Sequence, residues 1–191
     1  MKYFVIALLF YGCVHQKFDS IQAPVQIVES TDTSLHFSQG YWVRRNAVLT
    51  GLIISRYPDS SLQMTTPYVG GKEEGWKYSY YPGNILAEKR YFHQGEKDSV
   101  HYGWWPNKNK RFVYHFSKGT YNGDFTEWYE RGNPYRHIHY TKGVEDWAKG
   151  WRENGKLYMN FIVKNGRKYG IENSNLCYTV KNGKGEFVKS Q

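Results

Sequence analysis

Glycine recurs at positions 71, 95, 119, 143, 166 and 183, at spacings of 24, 24, 24, 23 and 17 residues. A sequence period near 24 constrains the architecture before any single side chain is considered, because a unit that short cannot bury its own apolar surface and must stack on copies of itself. The surrounding positions recur too. Three residues before each glycine stands Tyr68, Phe92, Phe116, Tyr140, Val163 or Val180. Thirteen residues before it come Pro58, Pro82, Pro106, Glu130 and Glu153, preceded by Tyr57, Tyr81, Trp105, Tyr129 and the departure Arg152. One position earlier stand Tyr80, Trp104, Trp128 and Trp151, with Arg56 the exception. Gly75, Gly123 and Gly170 follow the repeated glycine by four residues, where Ser99 and Trp147 break the pattern. The sixth unit lacks the Tyr-Pro half and reads as a truncated closing unit.

Each unit reads as a β-hairpin. Trp76, Tyr78 and Tyr80 alternate with Lys77, Ser79 and Tyr81, then Pro82-Gly83-Asn84 intervenes before a second run to Phe92 and Gln94-Gly95. Period-two aromatic alternation bounded by Gly, Pro and Asn is a strand-and-turn signal. Asn165-Gly166 and Asn182-Gly183 suit connecting turns, since both residue types tolerate positive φ. Alanine occurs only at positions 7, 23, 47, 87 and 148, which argues against long helices. The expected fold is all-β: tandem hairpin repeats of about 24 residues forming an elongated antiparallel meander, on the order of 50 to 60 Å along the array. The recurrent Trp and Tyr rings are expected to be the core between repeats.

Residues 1–45 differ in kind. Met1-Lys2 precedes an apolar run over 3–11 that ends in Gly12-Cys13. The run is too short to span a bilayer as a mature helix and reads as a secretory signal over 1–12. It resembles a bacterial lipoprotein signal, with Leu9 four residues before the cysteine, although Phe10 and Tyr11 stand where small residues are usual. Cys13 is therefore the expected lipidation site, anchoring the chain through its acyl chains. Residues 13–34, polar with one proline, read as a lipidated N-terminus and flexible tether. The repeat domain is expected over 35–191, opened by a capping hairpin over 35–45. With Cys13 acylated, Cys177 is alone and reads as a structural thiol.

This arrangement resembles the MORN-repeat-variant family, whose bacterial members are often labelled YwqK-type antitoxins. The likeness rests on Leu49-Thr50-Gly51, the Tyr-Tyr-Pro-Gly-Asn stretch at 80–84, Trp128-Tyr129-Glu130, Glu153-Asn154-Gly155-Lys156-Leu157 and Lys164-Asn165-Gly166-Arg167-Lys168-Tyr169-Gly170. It covers roughly 40–185. The resemblance implies hairpin repeats and protein interaction, with an antitoxin role in some members.

Chemical motifs are sparse. His115 and His139 are equivalent positions two strands apart, about 10 Å, too far to share a metal ion. His137 and His139 share a strand face at a separation that is also long for one zinc ion. Glu130 and Glu153 are equivalent turn residues on an open sheet, where paired catalytic carboxylates would need a cleft. No phosphate-binding glycine loop or serine nucleophile motif is present, so neither an enzyme nor a cofactor is expected. The net charge of +9 either keeps an edge-rich sheet soluble or serves attraction to an anionic partner. Lys108, Lys110, Arg111, Lys164, Arg167, Lys168, Lys181 and Lys184 carry part of that charge. The export signal sets nucleic acid aside. The expected function is a non-catalytic, membrane-anchored interaction protein of the cell envelope binding a protein partner. An immunity protein that blocks a toxin and an anionic-glycan or lipid-headgroup binder are the alternatives. The candidate binding face carries Arg111, His115, His139 and Lys164, which are not committed to the aromatic ladder.

Substituting Cys13→Ser should release the protein from membranes or leave an uncleaved precursor. Metabolic labelling with a fatty acid checks this: incorporation that survives the substitution would refute anchoring at Cys13.

Overall fold

The computed structural model describes residues 26–173, 179–181 and 187–189; Cys13, Cys177 and the Asn182-Gly183 turn lie outside the described residues. Every regular element described is a strand. In chain order these are β1 Ile27–Glu29, β2 Leu35–Ser38, β3 Tyr41–Arg44, β4 Ala47–Val48, β5 Gly51–Arg56, β6 Leu62–Val69, β7 Lys72–Glu73, β8 Gly75–Tyr81 and β9 Ile85–His93. There follow β10 Glu96–Trp104, β11 Lys110–Ser117, β12 Thr120–Trp128, β13 Pro134–Thr141, β14 Val144–Trp151, β15 Leu157–Lys164, β16 Arg167–Ile171, β17 Thr179–Lys181 and β18 Phe187–Lys189. Thirteen of them form one sheet in the order β1-β5-β6-β8 and then consecutively to β16, with β7 beside β6. The chain is thus an all-β array of successive hairpins, antiparallel throughout except where β1 pairs parallel to β5.

The glycine period has a specific cause. Two-residue turns at Gln94-Gly95, Lys118-Gly119, Lys142-Gly143 and Asn165-Gly166 have positive φ at both positions, +50° and +83° at Lys142 and Gly143. That geometry matches the twist of the flanking strands. At Gly143 crowding adds to this, since a Cβ there would lie 2.6 Å from Thr120 Cγ2. The amide then reaches into the preceding repeat. Gly71 donates to the Leu49 carbonyl at 2.7 Å, Gly95 to Glu73 at 2.9 Å, Gly119 to Lys97 at 2.8 Å and Gly143 to Tyr121 at 2.8 Å.

A second ladder runs along the opposite ends of the hairpins. The phenol of Tyr57 donates to the Tyr80 carbonyl at 2.9 Å, Tyr81 to Trp104 at 3.1 Å and Tyr129 to Trp151 at 2.9 Å, while the indole N–H of Trp105 donates to Trp128 at 3.1 Å. The recurrent aromatic before each proline or glutamate therefore joins its repeat to the next. Just past each of these longer turns the register slips by one residue, at Gln63, Ala87, Arg111, Tyr135 and Tyr158. Such bulges bend the strand and increase its twist.

Cross-strand partners share a face of the sheet. One face holds Phe92, His101, Phe112, Phe116, Phe125, Ile138, Ala148 and Phe161, all buried. Their rings interlock: Tyr114 stacks on Phe112 at 4.2 Å and on Phe125 at 3.9 Å, and His101 lies 4.5 Å from Phe116. His101 is fully enclosed and hydrogen-bonds through Nε2 to the Tyr91 carbonyl at 2.8 Å. Burial pushes its pKa down and keeps the ring neutral. Where Phe112 lies over the neighbouring strand, residue 103 has no side chain, because a Cβ there would fall inside the ring's contact distance at 2.2 Å. The recurrent tryptophans do not join this core. Trp104, Trp128 and Trp151 sit on the opposite face, which corrects the expectation that the whole ladder is buried between repeats.

The N-terminal end is closed by a second structure. β2, β3 and β4 form a three-stranded sheet of their own, and so extend the expected capping hairpin by one strand. Trp42 packs edge-on against Tyr68 at 6.1 Å, its amide donates to the Gly71 carbonyl at 2.9 Å, and its carbonyl accepts from Leu49 at 2.9 Å. Beneath it Val28, Leu49, Ile53 and Tyr68 form a buried cluster. The span 13–34, expected as tether, contributes to this fold: β1 lies within it, and Val28 is only 1% exposed. Alternation around two β-branched residues outweighs the polar composition of the stretch. Asp32 fixes the following turn by accepting from the Ser34 amide and hydroxyl at 2.9 and 2.6 Å and from Arg44 Nε at 2.8 Å.

Phe116→Ala should cost about 3 to 5 kcal/mol of folding stability, because the ring is buried among rings and leaves a cavity. Gly143→Ala should cost at least about 1 kcal/mol through its positive φ and the Thr120 clash. Urea unfolding of both variants checks these values, and a Gly143→Ala midpoint equal to wild type would remove the role given to the repeated glycine.

Candidate functional site

The face opposite the core is overlaid by no other element among the described residues, since strands make their substantial contacts only with sheet neighbours. Its most regular feature runs across the strands beside the longer turns. Tyr80 pairs with Leu86, Trp104 with Lys110, Trp128 with Pro134 and Trp151 with Leu157, each pair sharing the face. The four aromatic residues are half-buried, and Leu157 is exposed. Their backbone carbonyls are the acceptors of the turn ladder, so one ring per hairpin is held in a fixed register. Tyr102 stacks beside Trp104 at 6.0 Å, and Lys110 Nζ lies 5.9 Å from the Trp128 ring. A cleft of about 470 Å³ opens at this stripe, lined by Gly83, Asn84, Ile85, Leu86, Trp104 and Lys108.

Further along the strands the same face changes character. Trp76 packs on Tyr91 at 5.1 Å, with Lys89 Nζ 4.2 Å from its ring. Three histidines then gather around Asp124. The Asp124 carboxylate accepts from His139 Nδ1 at 2.7 Å, with His137 Nε2 at 3.6 Å. Its carbonyl oxygen accepts from His115 Nδ1 at 2.7 Å. His139 stacks over Trp147 at 6.0 Å and His137 meets it edge-on at 4.7 Å. The cluster forms at the irregularity around Gly123, where φ is +107° and a Cβ would press to 3.2 Å on His115 Cβ. Among the described residues no three His, Cys, Asp or Glu side chains are arranged to hold a metal ion. The side chains of His137 and His139 are each 36% exposed, although His137 Nε2 itself is buried without a hydrogen-bond partner.

Of the four residues expected to form a binding face, His115, His139 and Lys164 share the uncovered face, with Lys164 paired to Arg167 at the last described two-residue turn. Arg111 does not. It is the extra residue of a bulge, so it turns to the core face, where it forms an ion pair with Glu88 and its guanidinium lies 5.7 and 5.1 Å from the rings of Trp105 and Phe112. Glu88 also holds Arg90 at 2.7 Å. Arg111 is thus part of the packing. Sequence reasoning missed Asp124 and the stripe. Its signal was present: Trp128 follows Phe125 by three, and Trp151 follows Ala148 by three, and an odd separation within a strand places residues on opposite faces.

No family model matches the chain, and no curated protein matches it. The function is therefore inferred from the uncovered face itself.

The His139 hydrogen bond is the largest cause holding the Asp124 carboxyl below its ordinary value of 3.8. A carboxyl more acidic in the folded state contributes stability that is complete above that value and is lost as pH falls through the folded pKa. Asp124→Asn should therefore lower stability at neutral pH and flatten the acid limb below about pH 4, so that the two proteins converge as the pH falls. Thermal midpoints from pH 2.5 to 7 check this, and parallel profiles for the two proteins would contradict it.

Proposed function

We propose that this protein is a non-catalytic interaction protein of the bacterial cell envelope, anchored by lipid at Cys13, which engages its partner on the uncovered face of the repeat sheet. One observation carries this reading: a row of half-buried Trp and Tyr side chains, one per hairpin, lies on a face that no other element among the described residues overlays. Contiguous apolar surface of this kind marks interaction sites, and Trp and Tyr dominate binding energy where such sites are mapped. The rows of rings are preorganised by packing and by the carbonyl ladder beneath them, so little freedom is lost on binding. The export signal supports an envelope location. The resemblance to MORN-variant repeats supports an interaction role.

A double variant, Trp104→Ala with Trp128→Ala, should lose retention of the solubilised envelope fraction by at least about tenfold, as expected when two central aromatic contacts go. Lys164→Glu, at the far turn of the same face, should weaken retention less and mainly at low salt. Pull-down of the solubilised envelope fraction on the immobilised protein reads both. Equal retention of the double variant and the wild type would move the interface elsewhere.

A further inference from the structure

The stripe has a period, and the period limits what can lie on it. Tyr80, Trp104, Trp128 and Trp151 occur once per hairpin, so successive rings are two strand spacings apart, about 10 Å. The carbonyl of each accepts a hydrogen bond from the turn aromatic one repeat earlier, at 2.9 to 3.1 Å. The spacing is therefore built into the backbone. Between the rings the stripe presents Leu86, Lys110, Pro134 and Leu157.

A ligand that uses several of these rings must repeat its own apolar face at the same interval. An extended peptide repeats a side chain on one face every two residues, about 6.6 to 7 Å, and falls out of register after one ring. It would also gain its main-chain hydrogen bonds at a sheet edge, not across the strands. A β-1,4-linked sugar chain advances by nearly the ring spacing per disaccharide and turns the same C–H face of every second ring to one side. That face packs flat on an aromatic ring, and the hydroxyls stay at the rim in water. The cleft of about 470 Å³ beside Trp104 has room for a sugar unit, with Lys108 among its lining residues and Lys110 in the stripe next to it. Two lysines at the stripe of a chain with net charge +9 match a polymer that carries carboxylates.

We infer that the stripe Tyr80-Trp104-Trp128-Trp151 is a binding track for a linear β-linked glycan bearing carboxylates, laid across the strands with one disaccharide per hairpin and its acidic groups beside Lys108 and Lys110. This rests on the reading of the uncovered face as the binding surface.

The test titrates the full mature protein in detergent with a β-1,4-linked glucuronic acid hexasaccharide, its disaccharide and cellohexaose, followed by calorimetry and tryptophan fluorescence. The acidic hexasaccharide should bind at least tenfold more tightly than the disaccharide, since it spans three rings. Trp128→Ala should weaken it at least tenfold while still unfolding in one cooperative transition, and Tyr169→Ala, exposed on the same face away from the stripe, should bind as wild type. Lys108→Glu with Lys110→Glu, a surface change that leaves the rings in place, should reduce the acidic hexasaccharide to the level of cellohexaose. Equal affinity for disaccharide and hexasaccharide, or equal binding by Trp128→Ala and wild type, overturns the track. If no oligosaccharide binds while the Trp104→Ala and Trp128→Ala double variant still loses the envelope fraction, the face serves a protein partner and the glycan inference falls alone. If that variant also keeps the envelope fraction, the binding-face reading falls with it.

Discussion

Beyond the small β2–β4 sheet at its N-terminal end, the main sheet has no second layer among the described residues and has to make a core out of one of its own faces, and everything else in this structure follows from that. Packed sheets bury apolar residues against a partner some 10 Å away. Here Phe92, Phe112, Phe116, Phe125 and Phe161 are buried along one face by the side chains beside them, among them His101, Tyr114, Tyr121 and Ala148. A flat sheet would leave them half in water. The bulge after each long turn supplies added twist once per repeat. The glycine turns and the turn aromatics then lock each hairpin to its neighbour at both ends. Glu127 on the core face is paired there, accepting from Tyr114 at 2.5 Å and from Arg136 at 2.6 Å.

Much of the architecture was legible from punctuation alone. A glycine every 24 residues marks a turn that needs positive φ, and a turn that recurs in register with aromatic pairs leaves only a hairpin array. The faces were harder. Parity along a strand tells which side a residue takes, but a bulge adds one residue and reverses the count beyond it. Arg111 illustrates this: it reads as a surface partner of His115, four residues on, yet as a bulge residue it turns towards Phe112 and Glu88. The tryptophans illustrate the opposite error. Composition makes them look like core, while their odd spacing from Phe125 and Ala148 places them outside it.

The candidate site was partly visible. His115 and His139 were placed on the right face by repeat equivalence, but the residue that gathers them, Asp124, gave no sign because its role depends on the local irregularity at Gly123. Val28 was obscured for a related reason. A three-residue strand in a polar stretch is too short for periodicity to register, and only its parallel pairing with β5 and the Trp42 cap above it explain its burial.

The single-file order of the strands has a mechanical consequence. In a meander, force applied between the two ends of the array crosses every strand boundary in turn, so the boundaries bear the same load in series and the weakest one yields first. At each boundary the load falls on the backbone ladder together with the glycine amide or the turn aromatic that reinforces it. A protein held at its N-terminal end and pulled by something bound along its face would distribute strain over the repeats between the two points, and those beyond the point of attachment would stay slack. The array then behaves as a compliant spacer, whose extension under tension is set by how many hairpins separate the hold from the pull.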